Sequence, residues 1–129
     1  MNIPDNLIYT KEHEWAKVKG NTATIGITGY AQSSLGDITF IELPKVGDKV
    51  EQGKRLATVE SVKAASDVYA SFSGKIVKIN EKLLDSSEIV NQSPYEDGWF
   101  AVIEIENEAE KGNLLSSADY KTYVEGLDK

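Results

Sequence analysis

Cysteine is absent from the chain, which removes disulfides, thiol nucleophiles and thiolate metal sites together and agrees with a reducing compartment. Histidine occurs once, at His13, so a Ser-His-Asp triad could form only around that ring. A lone imidazole without further ligands is also a poor metal site. Long apolar runs are missing: the longest is about five residues, Trp99 to Ile103, against the roughly 20 that a membrane helix needs. Basic excess is missing too. Lysine and arginine number 14 against 21 acids, a formal charge of −7, the reverse of what a phosphate-backbone binder carries. No P-loop, G-x-G-x-x-G, G-x-S-x-G or H-E-x-x-H spacing occurs. An ordinary enzyme, a nucleic-acid binder and a helical membrane protein are all disfavoured.

What is present suits one soluble globular domain: 129 residues, 40% hydrophobic and 27% charged. Charge is uneven along it. Residues 1–80 hold 9 acids and 10 bases, whereas residues 81–129 hold 12 acids and 4 bases, a sum of −8. Such a face keeps a protein soluble, and it can also steer basic partners. The start, MNIPDNLIYT, shows neither a signal sequence nor a transit segment. Cytoplasm is the default expectation, with a processed mitochondrial form left open.

The segmentation is mainly β. Glu14–Lys19 and Thr22–Thr28 read as a hairpin about Gly20-Asn21, with Ala23, Ile25 and Ile27 on one face. Thr28 can cap a short helix to Leu35, with Gly36 just beyond it. Strands follow at Asp37–Leu43, Lys49–Glu51, Leu56–Val62, Val68–Ala70 and Lys75–Asn80. A helical turn is expected at Glu81–Leu84, a polar loop over Asp85–Gly98 and a strand over Trp99–Glu106. Ser116-x-x-Asp119 resembles a capping box opening a helix from Ala118 to Glu125, closed by Gly126. Tyr120, Tyr123, Val124 and Leu127 would dock that helix. Many short strands with little helix suggest a small barrel or sandwich. Val46–Val59 and Ser73–Leu84 form a weak internal echo that would put residue 63 at the tip of a hairpin.

At that tip stands Glu60-Ser61-Val62-Lys63-Ala64-Ala65-Ser66-Asp67. A lysine with small neighbours is sterically open to a modifying enzyme, and carboxylates bracket it. A turn lysine is ordinarily just a solvated surface charge, so the local pattern alone is weak.

The segment resembles the lipoyl-attachment segment of the glycine cleavage H-protein family. The resemblance runs in order over about residues 7–125. It includes Tyr9-Thr10-Lys11-Glu12-His13-Glu14-Trp15, Ile25-Gly26-Ile27-Thr28 and Leu35-Gly36-Asp37-Ile38. Further on it includes Ser73-Gly74-Lys75-Ile76-Val77, Val90-Asn91, Ser93-Pro94-Tyr95 and Asp97-Gly98-Trp99. Two positions depart: Gly29 replaces an acidic residue or Asn, and Ser71 follows Tyr69-Ala70 where the family usually has proline. The serine leaves the unfolded chain freer, at a cost of up to ~1 kcal/mol.

The resemblance implies a barrel-sandwich hybrid of the lipoyl/biotinyl-carrier type with short helices, including a C-terminal helix. It implies one carrier domain over 1–129, with a lipoyl core at about 22–106 and a helical extension at about 107–129. Lipoate would be amide-linked to Lys63, with Glu60, Ser61, Val62, Ala64, Ala65 and Asp67 recognised around it. The chain would be a non-catalytic carrier, expected to be monomeric. Its partners would be a pyridoxal-phosphate glycine decarboxylase, a tetrahydrofolate-dependent aminomethyltransferase, a flavin (FAD) dihydrolipoamide dehydrogenase and the lipoate-attaching enzymes. The arm spans about a dozen bonds, a reach on the order of 14 Å. A loaded arm ends in a cationic amine and gains from a water-poor cleft holding a carboxylate. Glu14 is the first candidate for that carboxylate, with Glu12 and Asp67 as alternatives. His13 is left open as a surface histidine. A relay that donates lipoyl groups to other acceptors is the alternative role. A biotin carrier fits less well, since Val62 and Ala64 stand where it normally has methionines.

Overall fold

In the computed structural model, which describes residues 2–127, the chain folds into two antiparallel sheets facing one core. The larger sheet runs β1(Ile8–Tyr9)-β2(Glu14–Lys19)-β3(Thr22–Ile27)-β9(Ala101–Ile105)-β8(Gly74–Ile79)-β5(Lys49–Val50). The smaller runs β4(Ile38–Glu42)-β6(Arg55–Ser61)-β7(Ala65–Tyr69). Four short helices complete it: α1(Gly29–Leu35), α2(Lys82–Asp85), α3(Ile89–Gln92) and α4(Ser117–Leu127), with a 3-10 segment at Glu108–Asn113. None of the described helices is long and apolar enough to cross a membrane.

Side-chain alternation decides which face each sheet buries. Ala23, Ile25 and Ile27 of β3 point inward with Ala101 and Ile103 of β9 and Ile76 of β8. Opposite them stand Ile41, Ala57, Val59 and Val68 from the smaller sheet. This agrees with the mainly β barrel or sandwich that the strand pattern suggested, and with the barrel-sandwich hybrid that the resemblance implied. The first hairpin turns where expected, with Lys19 paired to Thr22 and Gly20 at φ +62°. That dihedral is one a side chain resists.

Three expectations are corrected. The lysine hairpin is tighter than read, because β6 ends at Ser61 and β7 starts at Ala65 rather than near Val68. Ala65, Ser66 and Asp67 have weak strand propensity, but pairing with Glu60, Val59 and Thr58 overrides it. The segment 85–98, read as loop, contains α3. Its Val90 is buried, and the Asn91 amide donates to the Gln32 side chain at 2.9 Å and to the Gly36 carbonyl at 2.8 Å. Asn91 also accepts from the Ile38 N–H at 2.9 Å, so a polar stretch is helical because tertiary bonds hold it. Finally, α4 runs through Gly126, and Leu127 does not dock, being 45% exposed.

The start of α4 agrees with its capping signal: the Ser116 hydroxyl accepts from the Asp119 N–H at 3.2 Å. Its Tyr120 stacks on Tyr9 with centroids 4.6 Å apart. The Tyr120 hydroxyl lies 2.8 Å from Thr28 Oγ1 and 2.9 Å from His13 Nδ1. That hydroxyl therefore joins α4, the cap of α1 and the loop before β2. Burial pushes its pKa up to about 12, so it stays protonated and able to donate. Tyr120→Phe is expected to lower stability by about 1–3 kcal/mol, because it strips a partner from two groups withdrawn from water. Urea unfolding with an unchanged m-value would check it.

Candidate functional site

The tip of the β6–β7 hairpin is Val62-Lys63-Ala64, and Ser61 shapes it. The Ser61 N–H donates to the Ala64 carbonyl at 2.8 Å, and the Ser61 hydroxyl lies 3.2 Å from the N–H groups of Lys63 and Ala64. One small side chain thus closes the turn with no bulk beside the lysine. Opposite, the Val62 N–H donates to the Asp37 carbonyl at 3.1 Å. Asp37 lies between Gly36 and Ile38, both bound by Asn91, so α3 braces the turn through the α1–β4 junction. Gly36 adopts φ +77°, a conformation that favours glycine. A Cβ there would meet Lys63 Cε at 3.5 Å. The lysine stem therefore lies along Gly36, while the residue stays exposed.

Of the residues singled out from sequence, Glu60, Ser61, Val62, Ala64 and Ala65 gather around Lys63. Val62 is 67% exposed, an apolar side chain turned to solvent. Asp67 lies further along β7, exposed and paired with Thr58. Strand alternation puts Ala65, Asp67 and Tyr69 on the outward side, while Val68 and Ala70 are buried.

Glu14 and Glu12 sit at the other end of β7. From Ala65 to Tyr69 is about 13 Å of strand, comparable to the reach of an acylated lysine. There the Tyr69 N–H donates to Glu14 Oε2 at 3.0 Å, and the Thr10 hydroxyl donates to Glu14 Oε1 at 2.6 Å. Glu14 is 1% exposed, so it is no solvated strand-end acid. Burial pushes its carboxyl up to about 7; the bonds from Thr10 and Tyr69 oppose that rise, and the charge of Glu12 adds to it. A groove of about 440 Å³ opens here, lined by Thr10, Glu12, Glu14, Gln52, Tyr69 and Ser71 among others. A buried carboxyl poised near neutrality, with two donors already aimed at it, suits a cation that arrives and leaves.

His13, left open as a surface residue, is half-buried instead, with its ring 4.4 Å from that of Tyr30. Burial lowers its pKa, so it is a neutral partner for Tyr120. No group of three His, Cys, Asp or Glu able to hold a metal occurs among the described residues. Sequence reasoning passed over Thr10, Gln52 and Asn91 as site-building residues. Gln52 and Asn91 act on partners 19 and 59 positions away, which no local spacing signals, whereas Thr10 meets Glu14 four residues along and its role shows only once that carboxyl is buried.

Comparison with known proteins shows the family and the fold. The Glycine cleavage H-protein family profile matches residues 7–126. The chain is 54% identical over 123 residues to the glycine cleavage system H protein of Carboxydothermus hydrogenoformans, covering 95% of each. It is 49% identical over 128 residues to that of Halothermothrix orenii, covering 99% of this chain and 100% of the relative. Among solved structures, a glycine cleavage system H protein from Mycobacterium marinum matches with a TM-score of 0.84 at 34% identity, over 93% of this chain and 97% of the other.

Proposed function

The chain belongs to the glycine cleavage H-protein family, and on that premise we propose that it carries lipoate in amide linkage on Lys63 Nζ. It is a carrier component of the glycine cleavage system. Its arm accepts an aminomethyl group from the glycine decarboxylase and presents it to the folate-dependent aminomethyltransferase. The resulting dithiol is reoxidised by dihydrolipoamide dehydrogenase. The single observation that carries this reading is Lys63 itself: exposed, at the tip of a tight hairpin, with only small or outward side chains beside it.

The chain's own residues divide the work. Ser61 fixes the turn, so that a lipoate-attaching enzyme meets the amine in one geometry. Acylation removes the lysine charge and leaves an apolar arm, which gains by lying against the protein at ~25 cal/mol per Å² buried. Glu14, held by Thr10 and the Tyr69 N–H, receives the cationic amine when the loaded arm folds back along β7. Glu12 and Asp67 stand nearer solvent and add negative potential. Tethering gives the arm a high effective concentration at any docked partner. The single domain spans 1–129, with its lipoyl core at about 22–106.

Incubation with lipoate and a competent attaching enzyme should add one lipoyl increment to the intact mass, and peptide mapping should locate it on Lys63. An increment elsewhere, or none, would sink the reading. A second expectation concerns the −8 charge of residues 81–129. If this half steers partners, stopped-flow encounter rates fall as ionic strength passes ~0.1 M, where screening acts within about 10 Å. Rates flat in salt would leave the acidic half a solubility feature.

A further inference from the structure

Ser71 is the one described residue with a buried side-chain polar atom that has no hydrogen-bond partner: its Oγ is orphaned. The residue is 2% exposed and lines the groove that holds the Glu14 carboxyl. Its surroundings do not share the defect. The Gln52 amide donates to the Ser71 carbonyl at 2.9 Å and to the Glu110 carbonyl at 3.0 Å, fixing the Ser71 backbone. Two residues on, the Ser73 hydroxyl donates to Glu110 at 2.7 Å and accepts from the Gln52 N–H at 3.0 Å. A buried hydroxyl left alone in so well-satisfied a neighbourhood calls for a partner that comes and goes.

We propose that the Ser71 hydroxyl accepts a hydrogen bond from the ammonium end of the loaded arm in the Glu14 groove. The inference rests on the reading of that groove as the arm's resting place. Donor and acceptor arithmetic supports it. A primary ammonium has three N–H donors. Each carboxylate oxygen has about two acceptor sites, and at Glu14 one on each is taken, by Thr10 and by the Tyr69 N–H. Two remain for the ammonium. Its third N–H needs another acceptor, and Ser71, a residue of the groove wall, has a buried Oγ with no partner. Glu12 is exposed and must shed water to approach; the Ser71 hydroxyl is buried already. Rotation about χ1 turns the buried Oγ toward the groove, so it meets the amine without backbone movement.

The test uses the full chain, lipoylated and then loaded from glycine by the decarboxylase. Ser71→Ala should accept lipoate and undergo reoxidation as the wild type does, yet release formaldehyde and ammonia from the loaded form about tenfold faster. Ser71→Thr, which keeps the hydroxyl, should restore most of the lifetime. The unloaded Ser71→Ala protein should melt no lower than wild type, since it loses an unsatisfied buried group. In the wild type, loading should shift the Ser71 Cβ resonance. If Ser71→Ala holds its load as long as wild type while Glu14→Ala loses it, the inference falls and the groove reading stands. If neither variant shortens the lifetime, the groove reading itself fails. A lower melting temperature for Ser71→Ala, or a Ser71 resonance unmoved by loading, would make the serine structural and also overturn the inference.

Discussion

Lys63→Arg is expected to fold like the wild type and to carry nothing. The side chain is exposed at a hairpin tip, and the Lys63 contact with Ser61 is made by the backbone. Exposed substitutions of this kind stay within about ±0.5 kcal/mol. Arginine keeps the positive charge beside Gly36, so local electrostatics change little. It has no amine to acylate, and its guanidinium stays protonated in proteins. Intact mass should therefore show no lipoyl increment, and glycine-dependent CO2 exchange with the decarboxylase should fall to the rate seen without any carrier. The thermal midpoint is the control. A Lys63→Arg protein that still supports exchange would put the arm elsewhere, and the other lysines would have to be mapped.

Removing the groove carboxyl should give the next largest effect, on the lifetime of the loaded form. A charge-assisted contact with a partly desolvated ammonium is worth roughly 1.5–3 kcal/mol. Glu14→Ala should therefore speed spontaneous loss of the aminomethyl group about ten- to a hundredfold, with lipoylation of Lys63 and reoxidation of the arm nearly unchanged. The pH dependence separates this from a packing defect. In the unloaded protein the carboxyl is pushed up to about 7 by burial, and a bound cation draws it below that value. The wild-type advantage over Glu14→Ala should therefore shrink as pH falls and the carboxylate of the loaded form protonates. Stability of the unloaded protein runs the opposite way. A carboxyl whose folded pKa is raised from 4.5 to about 7 contributes fully below 4.5 and loses that contribution as pH rises through 7. Urea titrations across that window should show the wild type losing stability, and Glu14→Gln should flatten the slope. A lifetime equal to wild type in Glu14→Ala would move attention to Asp67 and Glu12.

The lysine turn at Lys63, the hairpin at Gly20-Asn21, the Thr28 cap and the Ser116 cap are local facts. Each depends on residues within a few positions of one another, so pattern and propensity reach them. Strand faces such as Ala23, Ile25 and Ile27 follow from a period of two, and the resemblance along the chain ties Lys63 to lipoate chemistry. The sequence thus determined the class of fold and the family, and it singled out Lys63 as the residue to test. It did not determine where β7 begins, because Ala65-Ser66-Asp67 becomes strand only through pairing with β6. Nor could it show that segment 85–98 is helical at Ile89–Gln92, since Asn91 is held by Gln32, Gly36 and Ile38, 53 to 59 positions away. Glu14 reads in sequence as one of several candidate acids. Only the tertiary structure buries it, sets the Tyr69 N–H against it across 55 positions, and opens a groove beside it with an unpartnered Ser71 hydroxyl. Desolvation and long-range hydrogen bonds make those differences, and both exist only once the two sheets have closed on their core.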